Sequence, residues 1–298
     1  MKKHLSTIFF GIIFLIGLLL VLYPTVSNFL NNREQKKVIR EYSNIVNNMD
    51  KEEKETMYNE AVDYNKKIYE NGMIDYSNPD AVEGYNDILD VSGTGIMGYI
   101  SIPKINVELP IYHGTSDGVL QVAVGHLEGS SLPVGGENTH CVLSGHRGLP
   151  SADLFTHLDR LNVHDVFTIS VLDKTLVYEI DQIKVVAPGD TQYIQIEDGK
   201  DYCTLLTCTP YGINTHRLLV RGRRLDDSDD ENNIYVYADA YKIDTKTVTV
   251  LMAVPLTLLL LLGMAVHIRR NKKRKQEILK IIKENDLNIT NDKKTEDS

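Results

Sequence analysis

The chain has 298 residues, a formal net charge of −9, 42% hydrophobic residues, three cysteines and no tryptophan. At about 150 residues per domain, this length allows one or two domains. The composition excludes collagen-like, disulfide-rich and low-complexity proteins, and the negative charge argues against a nucleic-acid binder. The apolar residues are unevenly distributed, because they concentrate near both ends of the chain.

The first apolar stretch predicts a membrane anchor. Leu5 to Tyr23 carries no charge and follows Lys2 and Lys3. At ~1.5 Å per helical residue, such a stretch can cross a hydrocarbon core of roughly 30 Å. The alternative is a cleaved signal peptide. However, the apolar part is long for that role and Tyr23-Pro24-Thr25 is a poor small-residue cleavage site, so an uncleaved anchor is favoured.

The second apolar stretch, Val248 to Val266, is also uncharged and is followed by six basic residues between Arg269 and Lys275. A buried core helix is disfavoured by that basic cluster. Basic residues flank the outer end of both spans, so the positive-inside rule predicts a two-pass cell-membrane protein with both termini in the cytoplasm. The predicted regions are a cytoplasmic start and anchor (1–23), an extracytoplasmic helical region (24–97), a strand-rich domain (98–226), a juxtamembrane segment (227–247), a second membrane helix (248–268) and a basic cytoplasmic tail (269–298).

This topology divides the charged residues between the two cytoplasmic ends and the extracytoplasmic segment. The two cytoplasmic ends hold 12 of the 32 basic and 6 of the 41 acidic residues. The exterior segment therefore carries 20 basic and 35 acidic residues, a net charge of −15. The basic tail is a topology signal and a lipid-surface contact, whereas the acidic exterior indicates a solvated surface.

The exterior segment contains a helical region followed by strands. Apolar residues at helical spacing predict two amphipathic helices joined near Asp50, and a shorter helix over Ala81–Leu89. From Gly98 onward, runs rich in Val, Ile, Leu, Thr and Tyr alternate with Gly, Pro, Asn and Asp clusters. They predict strands at Gly98–Ile102, Val107–Tyr112, Thr139–Ser144, Val166–Leu172, Leu176–Val186, Tyr202–Cys208 and His216–Leu225. One short helix is expected over Ala152–Asp159, and seven or eight strands fit a closed β-barrel or a sandwich.

Strand parity separates the three cysteines. Cys208 ends a predicted strand just before a Thr-Pro-Tyr-Gly turn, where a side chain can be partly exposed on a rigid base. Cys141 and Cys203 lie inside apolar strands and are interpreted as small core residues.

Two further residues point to thiol chemistry. His146 follows a predicted strand and has Gly145 and Gly148 nearby, which permit close backbone approach and unusual φ/ψ. A thiol needs a base or an imidazolium neighbour to act as a nucleophile near neutral pH. Arg217 begins the strand after the turn, where a guanidinium at the same barrel end as Cys208 could hold substrate and stabilise an oxyanion.

These residues carry a family resemblance. Thr204-Leu205-Leu206-Thr207-Cys208, followed by Arg217, resembles the Thr-Leu-x-Thr-Cys … Arg signature of sortases. The longer runs TLLTCTPYGINTHRLLVRGRR, HLEGSSLPVGGENTH and SGHRGLPSADLF are similar to class C sortases, the pilin polymerases. The similarity spans roughly 98–226, and two membrane spans also fit class C.

The resemblance implies an all-β fold: an eight-stranded sortase β-barrel with short helices, an N-terminal helical segment and two transmembrane helices. It also implies a cysteine transpeptidase on a Gram-positive cell surface. Cys208 matches the nucleophile, His146 the acid/base and Arg217 the substrate- and oxyanion-stabilising arginine, and Thr207 is expected to help frame the site. The implied partners are pilin or surface-protein substrates with an LPxTG-like motif, and a pilin lysine as acceptor.

One departure from class C concerns the lid before the barrel, which often carries an Asp-Pro-aromatic motif. Here Asp75-Tyr76 lacks the intervening Pro, and Asn78-Pro79-Asp80 lacks the aromatic, so the lid is absent, degenerate or differently built. No cofactor is expected, and no His or Cys pair shows metal-ligand spacing. Two alternatives stay open: a sortase that anchors proteins or pili to the cell wall, and a non-catalytic membrane-anchored β-barrel that binds or scaffolds surface proteins.

Overall fold

The structure is a computed structural model that describes residues 2–71 and 84–225, the isolated positions 257, 263, 265 and 266, and residues 268–282. Residues 2–71 and 84–225 belong to one unit of the fold, which contains the barrel. Residues 268–282 form a helix in a second unit. The shorter helix predicted over Ala81–Leu89 falls partly outside the described residues, and within them a single 3₁₀ turn forms at Tyr85–Asp87.

Two long helices precede the barrel. Helix α1 runs from Lys2 to Asn48 and helix α2 from Lys51 to Glu70. The predicted junction near Asp50 is confirmed: its carboxylate caps α2 by accepting a hydrogen bond from the Glu53 amide at 2.7 Å. The predicted anchor and the first amphipathic helix form one continuous helix that includes Pro24. Membrane-type helices tolerate such a proline more readily than soluble ones do.

Helix α1 is apolar and long enough to cross a membrane. Its apolar part is exposed in the isolated chain, with large hydrophobic side chains facing outward from Phe9 to Leu30. Within the described residues it is the one helix with these properties. The predicted second span, Val248–Val266, lies outside the described residues apart from isolated positions, so the two-pass topology stays a prediction.

Eight strands follow: β1 (Ile96–Ile102), β2 (Val107–His113), β3 (Val124–His126), β4 (Thr139–Ser144), β5 (Val166–Val171), β6 (Lys174–Val186), β7 (Asp201–Thr209) and β8 (His216–Arg224). The seven strands expected from the sequence are confirmed within two residues at each end. Strand β3 and the four-residue helix α3 (Asp117–Leu120) were not expected. Three residues are too few for an alternating pattern to be detected.

The strands close into a barrel in the order β1-β2-β3-β4-β7-β8-β6-β5. Strands β2 and β3, and strands β4 and β7, pair in parallel, whereas the other neighbours are antiparallel. The eight-stranded closed barrel is therefore confirmed. The term all-β fits the barrel but not the whole chain, because α1 and α2 are the longest elements described.

The prediction of a helix over Ala152–Asp159 is wrong. The segment forms consecutive turns, and a 3₁₀ helix covers only Leu158–Arg160. Leu154 has a φ of 38°, which lies outside the range of a right-handed helix. The Asp153 amide donates to the Asn28 side chain at 2.9 Å, so contacts with α1 replace local helical bonds.

Both long helices pack on the barrel. The Tyr42 hydroxyl of α1 donates to the Met97 carbonyl at 3.0 Å and accepts from the Leu172 amide at 2.8 Å. The Asn65 side chain of α2 accepts from the Leu132 amide at 2.6 Å and donates to the Leu132 carbonyl at 3.1 Å. The helical region is thus part of the barrel's packing, a point that the sequence left undecided.

We expect Tyr42→Phe to destabilise the barrel by about 1–3 kcal/mol, because the ring remains but the buried Leu172 amide loses its acceptor. Thermal unfolding of the detergent-solubilised chain would measure the loss. Tyr99→Phe is the matched control, since the Tyr99 ring packs against Tyr42 at a centroid distance of 6.4 Å and lies at the surface of the same cluster. Equal melting temperatures for the two variants would contradict the expectation.

Candidate active site

The candidate site forms where two parallel strands end side by side. In the pairing of β4 with β7, Ser144 lies opposite Leu206. Beyond that pair, the Gly145 amide donates to the Leu206 carbonyl at 3.0 Å, and the Thr207 hydroxyl donates to the Gly145 carbonyl at 2.7 Å. The segment after β4 therefore follows β7 for a further residue, which brings His146 level with Cys208.

The third residue comes from the neighbouring antiparallel strand. Cys208 of β7 and Arg217 of β8 are directly opposite each other in the ladder. Side chains at such positions project from the same face, with Cβ atoms about 4.5–5.5 Å apart. The structure thus brings the three predicted site residues, Cys208, His146 and Arg217, to one end of the barrel, and each is half-buried.

Alternation along β7 assigns its residues to two faces. Cys203, Leu205 and Thr207 are fully buried on the inner face. Leu206 and Cys208 lie on the outer face and are partly accessible. Thr207 is therefore not in contact with solvent, and its hydroxyl ties the segment that carries His146 to the strand that carries Cys208.

Burial distinguishes the three thiols. Cys141 and Cys203 are buried neighbours in the β4–β7 ladder, as expected for core residues, and Cys208 is the half-buried one. Burial raises the pKa of the Cys203 thiol well above its ordinary value. Both interior thiols are closed off from a substrate by burial, so Cys208 is the thiol suited to reaction.

Glycine is required at positions 145 and 148, near His146, for two different physical reasons. A Cβ atom on Gly145 would lie 2.6 Å from the buried ring of Phe155, so the ring packs where a side chain would be. Gly148 has a φ of +79°, in the left-handed region that favours glycine. The Phe155 amide also donates to the His146 carbonyl at 3.1 Å. The backbone around His146 is therefore fixed by packing as well as by hydrogen bonds.

The guanidinium of Arg217 lies over the loop between β7 and β8. Its Nη1 donates to the carbonyl oxygens of Asn214 at 3.3 Å and His216 at 3.2 Å. Both are weak contacts with exposed acceptors, so little is lost if the guanidinium leaves them for an anionic or carbonyl oxygen held next to Cys208.

An apolar surface adjoins Cys208 on the outer face of the barrel. We call it the outer apolar cluster; it contains the buried residues Val142, Val186, Ile194 and Leu219 and the partly accessible residues Leu127, Tyr193 and Leu206. Leu206 is on the same strand face as Cys208 and pairs with Leu219 across the ladder. Apolar groups that enter this end of the barrel would meet the cluster beside the thiol.

Not every candidate can be placed. The lid candidates Asp75 and Tyr76 lie outside the described residues, so a lid stays a prediction. Arg147, by contrast, lies within the SGHRGLPSADLF motif, which by itself assigns it no role, and the structure buries its side chain beside the site. The sequence feature that could indicate a role for Arg147 is its position between His146 and Gly148. Its hydrogen-bond partners are distant in the sequence, so local sequence does not predict them.

Comparisons with known proteins agree with this arrangement. A family model of the sortase domain matches residues 100–225. The crystal structure of sortase C1 from Streptococcus agalactiae is 52% identical, covers 64% of this chain and 99% of that chain, and has a TM-score of 0.60. This chain belongs to the class C sortases. Sortases are cysteine transpeptidases, a chemistry for which a half-buried thiol beside a histidine is suited.

Two further relatives define the extent of the likeness. Clostridium perfringens sortase C, solved with the C-terminal cell wall sorting motif, is 47% identical, covers 64% of this chain and 98% of that chain, and has a TM-score of 0.55. Sortase D of Bacillus subtilis is 35% identical over 131 residues, which are 43% of this chain and 63% of that relative. The chain thus spans slightly less than two thirds of the Bacillus protein, and it covers nearly all of the solved class C domains.

We expect Thr207→Val to slow the reaction of Cys208 and to destabilise the barrel by about 1–3 kcal/mol, because the Gly145 carbonyl loses its buried donor. Thr207→Ser keeps the hydroxyl and should stay close to the unmodified chain. Melting temperature and the rate of Cys208 alkylation by iodoacetamide would be measured for both variants. If Val and Ser behave alike in both assays, the hydrogen bond has no part in forming the site.

Proposed function

We propose that this sortase cleaves an LPxTG-like sorting signal and joins pilin subunits through a lysine isopeptide bond. The observation that supports it most directly is the register of three neighbouring strands, which aligns Cys208 with Arg217 and brings His146 alongside. This arrangement supplies a nucleophile, an acid/base and a cation at one end of a rigid barrel.

In the first half-reaction, the Cys208 thiol passes its proton to His146, and the sulfur attacks the carbonyl carbon between the Thr and Gly of the signal. The carbonyl oxygen takes the negative charge, and the Thr–Gly bond breaks as His146 gives a proton to the departing amine. The product is a thioester between Cys208 and the threonyl carbonyl. Proton transfer by a positioned histidine contributes about 10²–10⁴-fold in rate.

In the second half-reaction, a lysine amine of another pilin subunit attacks the thioester. His146, now neutral, takes the proton of that amine, and the thiolate of Cys208 leaves. The new bond is an amide between the threonyl carbonyl and the lysine side chain. The same histidine acts as acid and then as base, which suits a reversible acyl transfer.

Arg217 is proposed to stabilise the oxyanion in both steps. It projects from the same face as Cys208 one strand away, and its loop contacts of 3.2–3.3 Å are easily exchanged. Donors aimed at a developing negative charge are worth about 10²–10³-fold in kcat per donor. A guanidinium also offers several N–H groups to one substrate.

The outer apolar cluster supports a signal with apolar residues before the cleaved bond. Leu206 lies two positions before Cys208 on the same strand face, and Leu127 and Tyr193 are accessible nearby. A leucine–proline pair fits such a surface better than charged residues do. The relative solved with a cell wall sorting motif supports a signal of the same class here.

The proposal predicts an acyl-enzyme on Cys208. The solubilised chain, incubated with an LPxTG peptide, should gain the mass of the peptide's LPxT part, and fragmentation should locate it at Cys208. Cys208→Ala should gain no mass while its melting temperature stays the same. Peptide binding without an adduct would instead support the non-catalytic scaffold.

The acceptor distinguishes polymerisation from cell-wall anchoring. A pilin fragment with its lysine and a peptidoglycan-precursor amine would be offered together at equal concentration to the acylated chain. Isopeptide-linked pilin as the main product is the outcome expected of a polymerase. Predominant transfer to the precursor amine would replace the proposal by the anchoring sortase.

A further inference from the structure

The side chain of Arg147 connects the segment that carries His146 to the segment that carries Cys208. Its Nη2 lies 2.5 Å from a carboxylate oxygen of Asp159, and its Nη1 donates to the Thr209 hydroxyl at 3.3 Å. The guanidinium carbon lies 5.9 Å from the centroid of the Tyr211 ring. Only 9% of the Arg147 side chain is exposed, whereas its partners Asp159 and Tyr211 lie at the surface.

These contacts complete a symmetrical arrangement around the reacting pair. On one side, Gly145 precedes His146 and is bonded to Thr207, which precedes Cys208. On the other side, Arg147 follows His146 and is bonded to Thr209, which follows Cys208. The residues on either side of His146 are therefore hydrogen-bonded to the residues on either side of Cys208: Gly145 to Thr207, and Arg147 to Thr209.

We propose that Arg147 is a positioning residue that holds His146 level with Cys208 by bridging Asp159 and Thr209. The inference rests on the function proposed above, because it assigns His146 and Cys208 to one reaction. Arg147 acts through the placement of His146 and needs no contact with the substrate.

The geometry requires arginine rather than any cation. The planar guanidinium reaches two acceptors on separate segments at once, through different nitrogens. A lysine ammonium is a single point and would bond to Asp159 or to Thr209. Lysine at this position keeps the charge but should lose the bridge.

Stability alone gives a weak reason for burying this side chain. The Arg147 Nε has no hydrogen-bond partner within residues 2–71 and 84–225, and a buried unpaired donor is unfavourable. Asp159 is 47% exposed, so much of the charge attraction is screened by water. A buried cation with an incomplete set of partners is better explained by the alignment that it imposes.

Loss of the Arg147 bridge should lower kcat and leave KM nearly unchanged. Misplacement of a reacting group by about 1 Å can lower a rate about 100-fold. We expect Arg147→Met to lower the kcat for acyl-enzyme formation about 10- to 100-fold with KM within about twofold. Arg147→Lys should be nearly as slow as Arg147→Met.

The Thr209 side of the bridge provides a matched pair. Thr209→Ser keeps the acceptor and should retain activity, whereas Thr209→Val removes it and should lower kcat. Arg147→Met combined with Thr209→Val should be no slower than Arg147→Met alone, because both remove the same link. Arg223→Met is the control for loss of an arginine, since Arg223 pairs with Glu179 between β6 and β8 and its loss should leave kcat unchanged.

A second background distinguishes positioning from direct substrate contact. In the His146→Ala chain, residual acylation should be unaffected by Arg147→Met, because there is no imidazole left to position. A further loss of similar size in that background would overturn the proposal. So would full activity of Arg147→Met, or equal kcat for Thr209→Val and Thr209→Ser.

A readout independent of the peptide keeps this inference separate from the proposed function. The pH dependence of Cys208 alkylation by iodoacetamide reports whether an imidazole lies next to the thiol. Arg147→Met should change that profile towards the one for His146→Ala, whereas an unchanged profile would overturn the positioning role. If the unmodified chain forms no acyl-enzyme, the proposed function fails while the alkylation profiles still decide the role of Arg147.

Discussion

The parallel pairing of β4 with β7 is the constraint on which the site depends. Parallel neighbours run in the same direction, so both strands end at the same edge of the sheet. Ser144 ends β4 opposite Leu206, and the chain then continues alongside Thr207. A histidine and a cysteine 62 positions apart are brought level by this pairing, and β8 adds Arg217 through its antiparallel ladder with β7.

The same strand serves the core and the site because its side chains alternate. Inner-face residues such as Cys203 and Leu205 are fully buried and hold β7 in place. Cys208 projects from the outer face, where it is half-buried. A reactive group on a packed strand is held more precisely than one on a loop. His146, which lies in a loop, needs the additional bonds made by Thr207 and by the packing of Phe155.

The parts of the fold that were predicted from the sequence have local signals. Seven strands show alternation and turn residues, and Asp50 shows the chemistry of a helix cap. Strand β3 is too short for a pattern, and the helix expected at Ala152–Asp159 is replaced by turns because Asp153 bonds to Asn28 of α1. Motifs indicated Cys208, His146 and Arg217 individually. Their alignment depends on long-range register and on partners such as Asp159, which no local pattern encodes.

The contact between Asn28 and Asp153 also relates the site to the anchor. Asn28 and Asn31 bond to residues 151–153, which follow His146 in the same loop, whereas Tyr42 contacts the barrel farther along α1. Exposed apolar side chains on α1 continue to Leu30. With α1 in a membrane, the loop after His146 is therefore held nearer to the bilayer than the residues that Tyr42 contacts. At ~1.5 Å per residue, Asn28 lies about 8 Å along the helix from Tyr23. Because α1 is one continuous helix, its bonds to residues 151–153 relate the position of the loop after His146 to that of the apolar segment of α1.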